Sequence, residues 1–128
     1  MKTVSAAICV KNGKVLLARR SLKQTLSGYW EFPGGKLEKN ETIFECVERE
    51  IQEELGVSCK AIKVFAENHY QYENGSIKLV AVLIDLENTN FELSVHDSLE
   101  WVGINSLLEY KLAPADIKIA KDLVDGFR

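Results

Sequence analysis

Apolar and polar positions along the first twenty residues follow a strand-like rhythm. "TVSAAICV" is rich in small and β-branched residues, and after "KNGK" the run "VLLARR" continues in the same vein. Asn12-Gly13 between them is the dipeptide that a type I′ turn favours, so two antiparallel strands are expected to open the chain. A polar loop, "SLKQTLSG", leads into "YWEFPGG", whose aromatics suit a short strand that the Pro-Gly-Gly must end.

The period then changes. Ile43, Val47, Ile51 and Leu55 recur along one slowly drifting stripe, with Phe44 beside it, and this face should meet a sheet. Thr42 followed by Glu45 matches a capping box, and Gly56 after Leu55 is a C-terminal stop. The spacing predicts a helix from Ile43 to Leu55 with Thr42 as its N-cap. Beyond it, "SCKAIKVFAENHYQYE" and "SIKLVAVLIDLE" flank Asn74-Gly75 and predict a second hairpin with long arms. "LEWVGI" suits another strand. From "NSLLEY" and then "PADIKIAKDLVDGF" the period is helical, with Pro114 early and Ile117, Ala120, Leu123 and Val124 on one side. Hairpin, strand, helix, hairpin, strand, helix is too irregular for alternating βαβ units. It predicts an α/β (α+β) fold: a mixed sheet with helices packed on both faces.

Composition narrows the function classes. The 128 residues suffice for one sizeable core, so residues 1–128 are expected to form a single domain. A net charge of -3 leaves no general basic surface, which argues against long nucleic acid as partner and requires any phosphate affinity to be local. No stretch is apolar for the length of a membrane span, and "MKTVSAAICV" lacks the pattern of a secretory leader, so the cytoplasm is the expected location. Cys9, Cys46 and Cys59 are odd in number and widely spaced, without CxxC, and read as buried thiols.

The stretch "GGKLEKNETIFECVEREIQEELGV" carries the chemistry. Glu50, Glu53 and Glu54 lie beside the apolar stripe at i,i+3 and i,i+4 spacing, where like charges repel by roughly 0.2–0.5 kcal/mol per pair. They also occupy the last turns, where the helix dipole disfavours anions. Either the face is simply solvated, or a hard divalent cation offsets it.

Gly35, five residues, Glu41, seven residues and then "REIQEELGV" form the whole of a known motif. In Gly35, Glu41, Arg49, Glu50, Ile51, Glu53, Glu54, Gly56 and Val57 the chain resembles the Nudix hydrolase superfamily. "AAICVKNGKVLLARR", "GYWEFPGGKLE" and "LAPADI" are similar to its MutT branch of small nucleoside triphosphate pyrophosphohydrolases. The resemblance implies a Nudix-type α/β/α sandwich and Mg²⁺-dependent hydrolysis of an NTP or dNTP, with Mn²⁺ as the other metal. The products would be a nucleoside monophosphate and pyrophosphate, in the sanitation of the nucleotide pool. It places the metal on Glu50, Glu53, Glu54 and the Gly34 carbonyl, with Glu53 or Glu50 as general base. Arg49 and Glu41 would brace the loop–helix–loop by an ion pair. Arg20 would fork onto phosphate or ribose oxygens, with Lys36 in a similar role. The backbone of Glu31, Phe32, Pro33 and Gly34 would lie under the nucleotide, and Asp116 would face the base edge. Asp116 could equally be an ordinary acid at a helix N-terminus.

Some members of the branch carry a Glu before the His that precedes the strand with Trp101. Here Val95 precedes His96, so a helix carboxylate must act instead, and His96 reads as a surface residue. Within the superfamily, dinucleoside polyphosphates are the alternative substrates, given Tyr70 and Tyr72, whereas ADP-ribose and coenzyme A fit less well. A non-catalytic binding module would have lost box carboxylates, and all are present. The partner is a small nucleotide, and the chain acts as a monomer or homodimer.

Overall fold

In the computed structural model, which describes residues 1–126, the chain runs through β1 (Lys2–Ile8), β2 (Val10–Lys11), β3 (Lys14–Arg20) and β4 (Trp30–Glu31) into α1 (Ile43–Leu55). It continues through β5 (Cys59–Tyr72), β6 (Gly75–Leu86) and β7 (His96–Gly103) to α2 (Ile117–Gly126). Short 3-10 helices at Ile104–Glu109 and Pro114–Asp116 precede α2.

The mixed sheet is divided in two. β1 pairs in parallel with β6 and β5 pairs antiparallel with β6, giving the order β1-β6-β5. In the second, antiparallel sheet β3 takes β2 and β4 along one edge and β7 along the other. The opening hairpin is correspondingly shorter than expected. Asn12 and Gly13 do form its turn with φ of 53° and 76°, but only Val10 and Lys11 pair with β3. β1 lies in the other sheet, and it is apolar on both faces, as a strand parallel to its neighbour and covered on each side must be. Ala6 and Ile8 join the core under α2, with Ile119, Ala120 and Leu123. Ala7 and Cys9 join the core under α1, with Val47, Ile51 and Leu55.

Helix α1 has the predicted bounds. Thr42 Oγ1 accepts from the Glu45 N–H at 3.1 Å, the Glu45 carboxylate accepts from the Thr42 N–H at 2.9 Å, and Gly56 closes the helix at φ 70°. One apolar assignment fails: Phe44 is exposed, and Cys46 is buried instead. The cover over Cys46 is the glycine turn, whose Gly35 carbonyl lies 3.5 Å from the thiol, so a tertiary contact outweighs the stripe. In α2, Ile117 is likewise exposed and Ile119 takes its place in the core, while Phe127 lies outside the described residues. The second hairpin turns on Glu73 and Asn74, one residue before the predicted dipeptide, and Gly75 already pairs with Tyr72. Cys9 and Cys46 are buried as expected, whereas Cys59 is only half-buried, its thiol pushed up to about 12 chiefly by desolvation.

Candidate active site

The site begins where β4 runs out. Phe32 to Gly35 cannot continue the sheet with β3, because Pro33 has no N–H to give. The segment lies along β1 instead: the Ala7 N–H donates to the Pro33 carbonyl at 2.6 Å and the Ser5 N–H to the Gly35 carbonyl at 2.7 Å. Gly34 is required by contact with backbone, whereas Gly35 faces the end of the flexible Glu50 side chain. A Cβ on Gly34 would stand 2.1 Å from the Ser5 carbonyl oxygen, and one on Gly35 would stand 2.3 Å from the Glu50 carboxyl carbon. The turn is thus wedged between β1 and the acidic flank of α1.

That flank is short of positive charge. Glu54 Oε1 accepts from the Gly34 N–H at 3.3 Å, and burial, then the charges of Glu31 and Glu50, raise its pKa to about 8. Glu50 is raised as well, again mainly by burial, although Arg49 opposes the shift. Arg49 organises the rest. Its Nε donates to Glu41 Oε2 at 2.7 Å and its Nη2 to Glu41 Oε1 at 3.0 Å, which holds the Glu41 carboxyl down at about 2. Its Nη1 donates to Glu50 at 2.8 Å and to Glu53 at 3.1 Å, and its Nη2 to the Lys36 carbonyl at 3.0 Å. Beyond the brace to Glu41, then, this guanidinium spans two of the metal-candidate carboxylates. Glu53 is 58% exposed, and among the described residues no three His, Cys, Asp or Glu side chains close into a ligand set. The donors nevertheless suit a divalent ion: hard carboxylate oxygens gathered on one helix flank beside the glycine turn.

A cavity of about 370 Å³ opens beside the turn. Arg20, Glu31, Phe32, Gly34 and Asp116 line it, as do Tyr72 and Thr25. Lys36 and the helix carboxylates are not in its wall; the Lys36 side chain is exposed. Asp116 is buried, and its Oδ2 accepts from the Phe32 N–H at 3.1 Å. Desolvation, with Glu31 adding to it, raises its carboxyl well above the ordinary range. Its 3-10 turn is clamped from β5: the Ala115 N–H donates to the Tyr72 hydroxyl at 3.2 Å, and Asn68 Nδ2 to the Ala115 carbonyl at 2.9 Å.

Two residues at the site escape a reading of the sequence. Asn68 carries no pattern of its own. His96 was expected on the surface and is buried, with Nε2 2.8 Å from Glu31 Oε2; its signal, a polar residue opening an apolar strand, is too common to interpret alone.

The arrangement has known counterparts. A model of the NUDIX domain matches residues 1–123. The CTP pyrophosphohydrolase of Escherichia coli K12 is 34% identical over 119 residues, 93% of this chain and 88% of that protein. The 8-oxo-dGTP diphosphatase of Proteus vulgaris is 51% identical over 53 residues, 41% of this chain and 47% of that protein. Among solved structures, the Escherichia coli ORF135 protein superposes with a TM-score of 0.87 at 34% identity, covering 98% of this chain and 89% of its own. The MutT protein of Methanosarcina mazei Go1 shares the fold, with a TM-score of 0.89 at 21% identity over 99% of this chain and 95% of its own. Nudix hydrolases act on small nucleotide substrates and generally use divalent metal ions, and this chain belongs to that family as an enzyme of phosphoric anhydrides.

Proposed function

We propose that the chain is a Mg²⁺-dependent nucleoside triphosphate pyrophosphohydrolase, turning an NTP or dNTP and water into the nucleoside monophosphate and pyrophosphate. The observation that carries this reading is the gathering of carboxylates around one glycine turn, where Glu54 accepts from the Gly34 N–H and the Glu50 carboxylate lies against Gly35. Glu50, Glu53, Glu54 and the Gly34 carbonyl would hold a divalent ion, which when bound would supply positive charge to phosphate oxygens and lower the pKa of a water. Glu53 or Glu50 takes the proton from the attacking water. Arg49, anchored on Glu41, keeps both carboxylates on the same side of the helix. Arg20 reaches phosphate or ribose oxygens, the backbone from Glu31 to Gly34 supports the nucleotide, and Asp116 reads the base edge.

CTP and 8-oxo-dGTP, the nucleotides named for the relatives, head the panel of substrates. The test is product analysis over the canonical ribo- and deoxynucleoside triphosphates plus 8-oxo-dGTP, with Mg²⁺ and with chelator. Monophosphate and pyrophosphate, formed only with metal, are expected. Diphosphate and inorganic phosphate, or turnover undiminished by chelator, would overturn the reading.

A further inference from the structure

The pairing of β7 with β3 slips between Arg19, opposite Ser98, and Arg20, opposite His96, so Asp97 is an extra residue. Such a bulge re-aims the side chains around it. Asp97 turns outward and accepts from Arg19 Nε at 2.7 Å at the surface, while the His96 side chain turns inward and is wholly buried.

Inside, His96 Nε2 lies 2.8 Å from Glu31 Oε2, and Nδ1 is buried without a hydrogen-bond partner among the described residues. This selects the tautomer. An Nε2–H donates to the carboxylate and leaves Nδ1 a bare lone pair. An Nδ1–H would bury an unmade donor and set the Nε2 lone pair against an anion, which costs more.

Glu31 is therefore held from two sides. Arg20 Nη1 donates to both its oxygens at 3.2 Å, and Arg20 is itself fastened to Thr25, through Nε to the carbonyl at 2.5 Å and Nη2 to Oγ1 at 3.2 Å. A substrate oxygen arriving in the cavity competes with Glu31 for this guanidinium. A carboxylate held by Arg20 alone would be released by that exchange. We propose that His96 is a positioning residue for nucleotide binding, anchoring Glu31 so that Arg20 can turn from this carboxylate to a substrate oxygen while Glu31 stays in place. The location of Glu31 matters because its charge already bears on both Glu54 and Asp116.

The inference rests on the nucleotide reading of the cavity, and the experiment separates the two. His96→Leu should raise KM for the better of CTP and 8-oxo-dGTP roughly tenfold, the scale of one hydrogen bond to a charged group, with kcat changed far less. Its melting temperature should not fall, since leucine fills the space and removes the unpartnered nitrogen. His96→Gln retains an N–H donor and should restore most of the affinity. Parallel losses of kcat and melting temperature in both variants, or no rescue by glutamine, would overturn the proposal and make His96 a core residue. A nucleotide-free measurement stands beside these. The chain has two histidines, and the other, His69, is exposed, so the ¹⁵N imidazole spectrum assigns His96 directly. An Nε2–H tautomer is expected, and an Nδ1–H tautomer would remove the anchor whether or not either nucleotide is turned over. Failure of the wild type on both nucleotides, with the Nε2–H tautomer in place, would instead count against the nucleotide reading and overturn the binding role built on it.

Discussion

Replacing Glu54 by Gln deletes one charge from the crowded flank of α1 and keeps an acceptor for the Gly34 N–H. The folded carboxyl titrates at about 8, raised from 4.5 first by burial and then by Glu31 and Glu50. Because the folded value lies above the unfolded one, the native state holds the extra proton between them. Stability from the neutral carboxyl is fully present below pH 4.5 and is lost as pH rises through about 8. At about 1.4 kcal/mol per unit, the displacement is worth on the order of several kcal/mol, a large share of a typical stability of about 5–15 kcal/mol. Melting curves in EDTA should therefore fall for the wild type as pH rises from 4.5 to about 8, level off above it, and run flatter for Glu54→Gln, which should be the more stable of the two above pH 8. Saturating Mg²⁺ should reverse the order, because the ion takes the place of the proton in the wild type and gains little in the variant. Coincident curves in EDTA would refute the charge-poor burial of Glu54, and equal stabilisation by Mg²⁺ would remove it from the ligand set.

Asp116→Ala should erase selectivity across the triphosphate panel and, by orphaning the buried Phe32 N–H, cost about 1–3 kcal/mol in denaturant unfolding. Asp116→Asn, which keeps that acceptor, should spare stability and alter selectivity alone. Gly34→Ala drives a Cβ to 2.1 Å from the Ser5 carbonyl oxygen, backbone that cannot swing aside, and should destabilise by about 3 kcal/mol or more or prevent folding, read by circular dichroism. Arg49→Lys loses the fork onto Glu41. A carboxyl lowered to about 2 stabilises the fold above pH 4.5 and loses that contribution as pH falls toward 2, so the variant should be less stable at neutral pH and show less of this acid dependence in a titration of unfolding.

The sequence was most legible where chemistry is local. The Thr42–Glu45 box and Gly56 bounded α1 to the residue because a cap is decided by its own few neighbours. Arg49 in α1 and Glu41 just before its N-cap, eight positions apart, were expected to pair and do, at 2.7 Å. What stayed hidden depends on contacts made far along the chain. Nothing in "TVSAAICV" says that β1 will join β6 while β2 stays with β3, because the choice is made by sheets not yet formed at that point in the chain. Phe44, placed beside the apolar stripe, is exposed, because the flank that the glycine turn covers is the one that carries Cys46. His96 follows the same logic, since a single extra residue in β7 decides whether it points to Glu31 or to water.

The most direct measurement is pyrophosphate release from CTP and 8-oxo-dGTP, with saturating Mg²⁺, by the wild type and by Glu53→Gln. Glu53 is 58% exposed and its only side-chain bonds among the described residues run to Arg49, so the substitution changes no packing and should leave the melting temperature in EDTA in place. A loss of roughly a hundredfold or more in kcat, about 3 kcal/mol of barrier, is expected if the carboxylates of α1 perform the hydrolysis. Undiminished kcat in a folded Glu53→Gln protein would contradict it and move the chemistry off this helix.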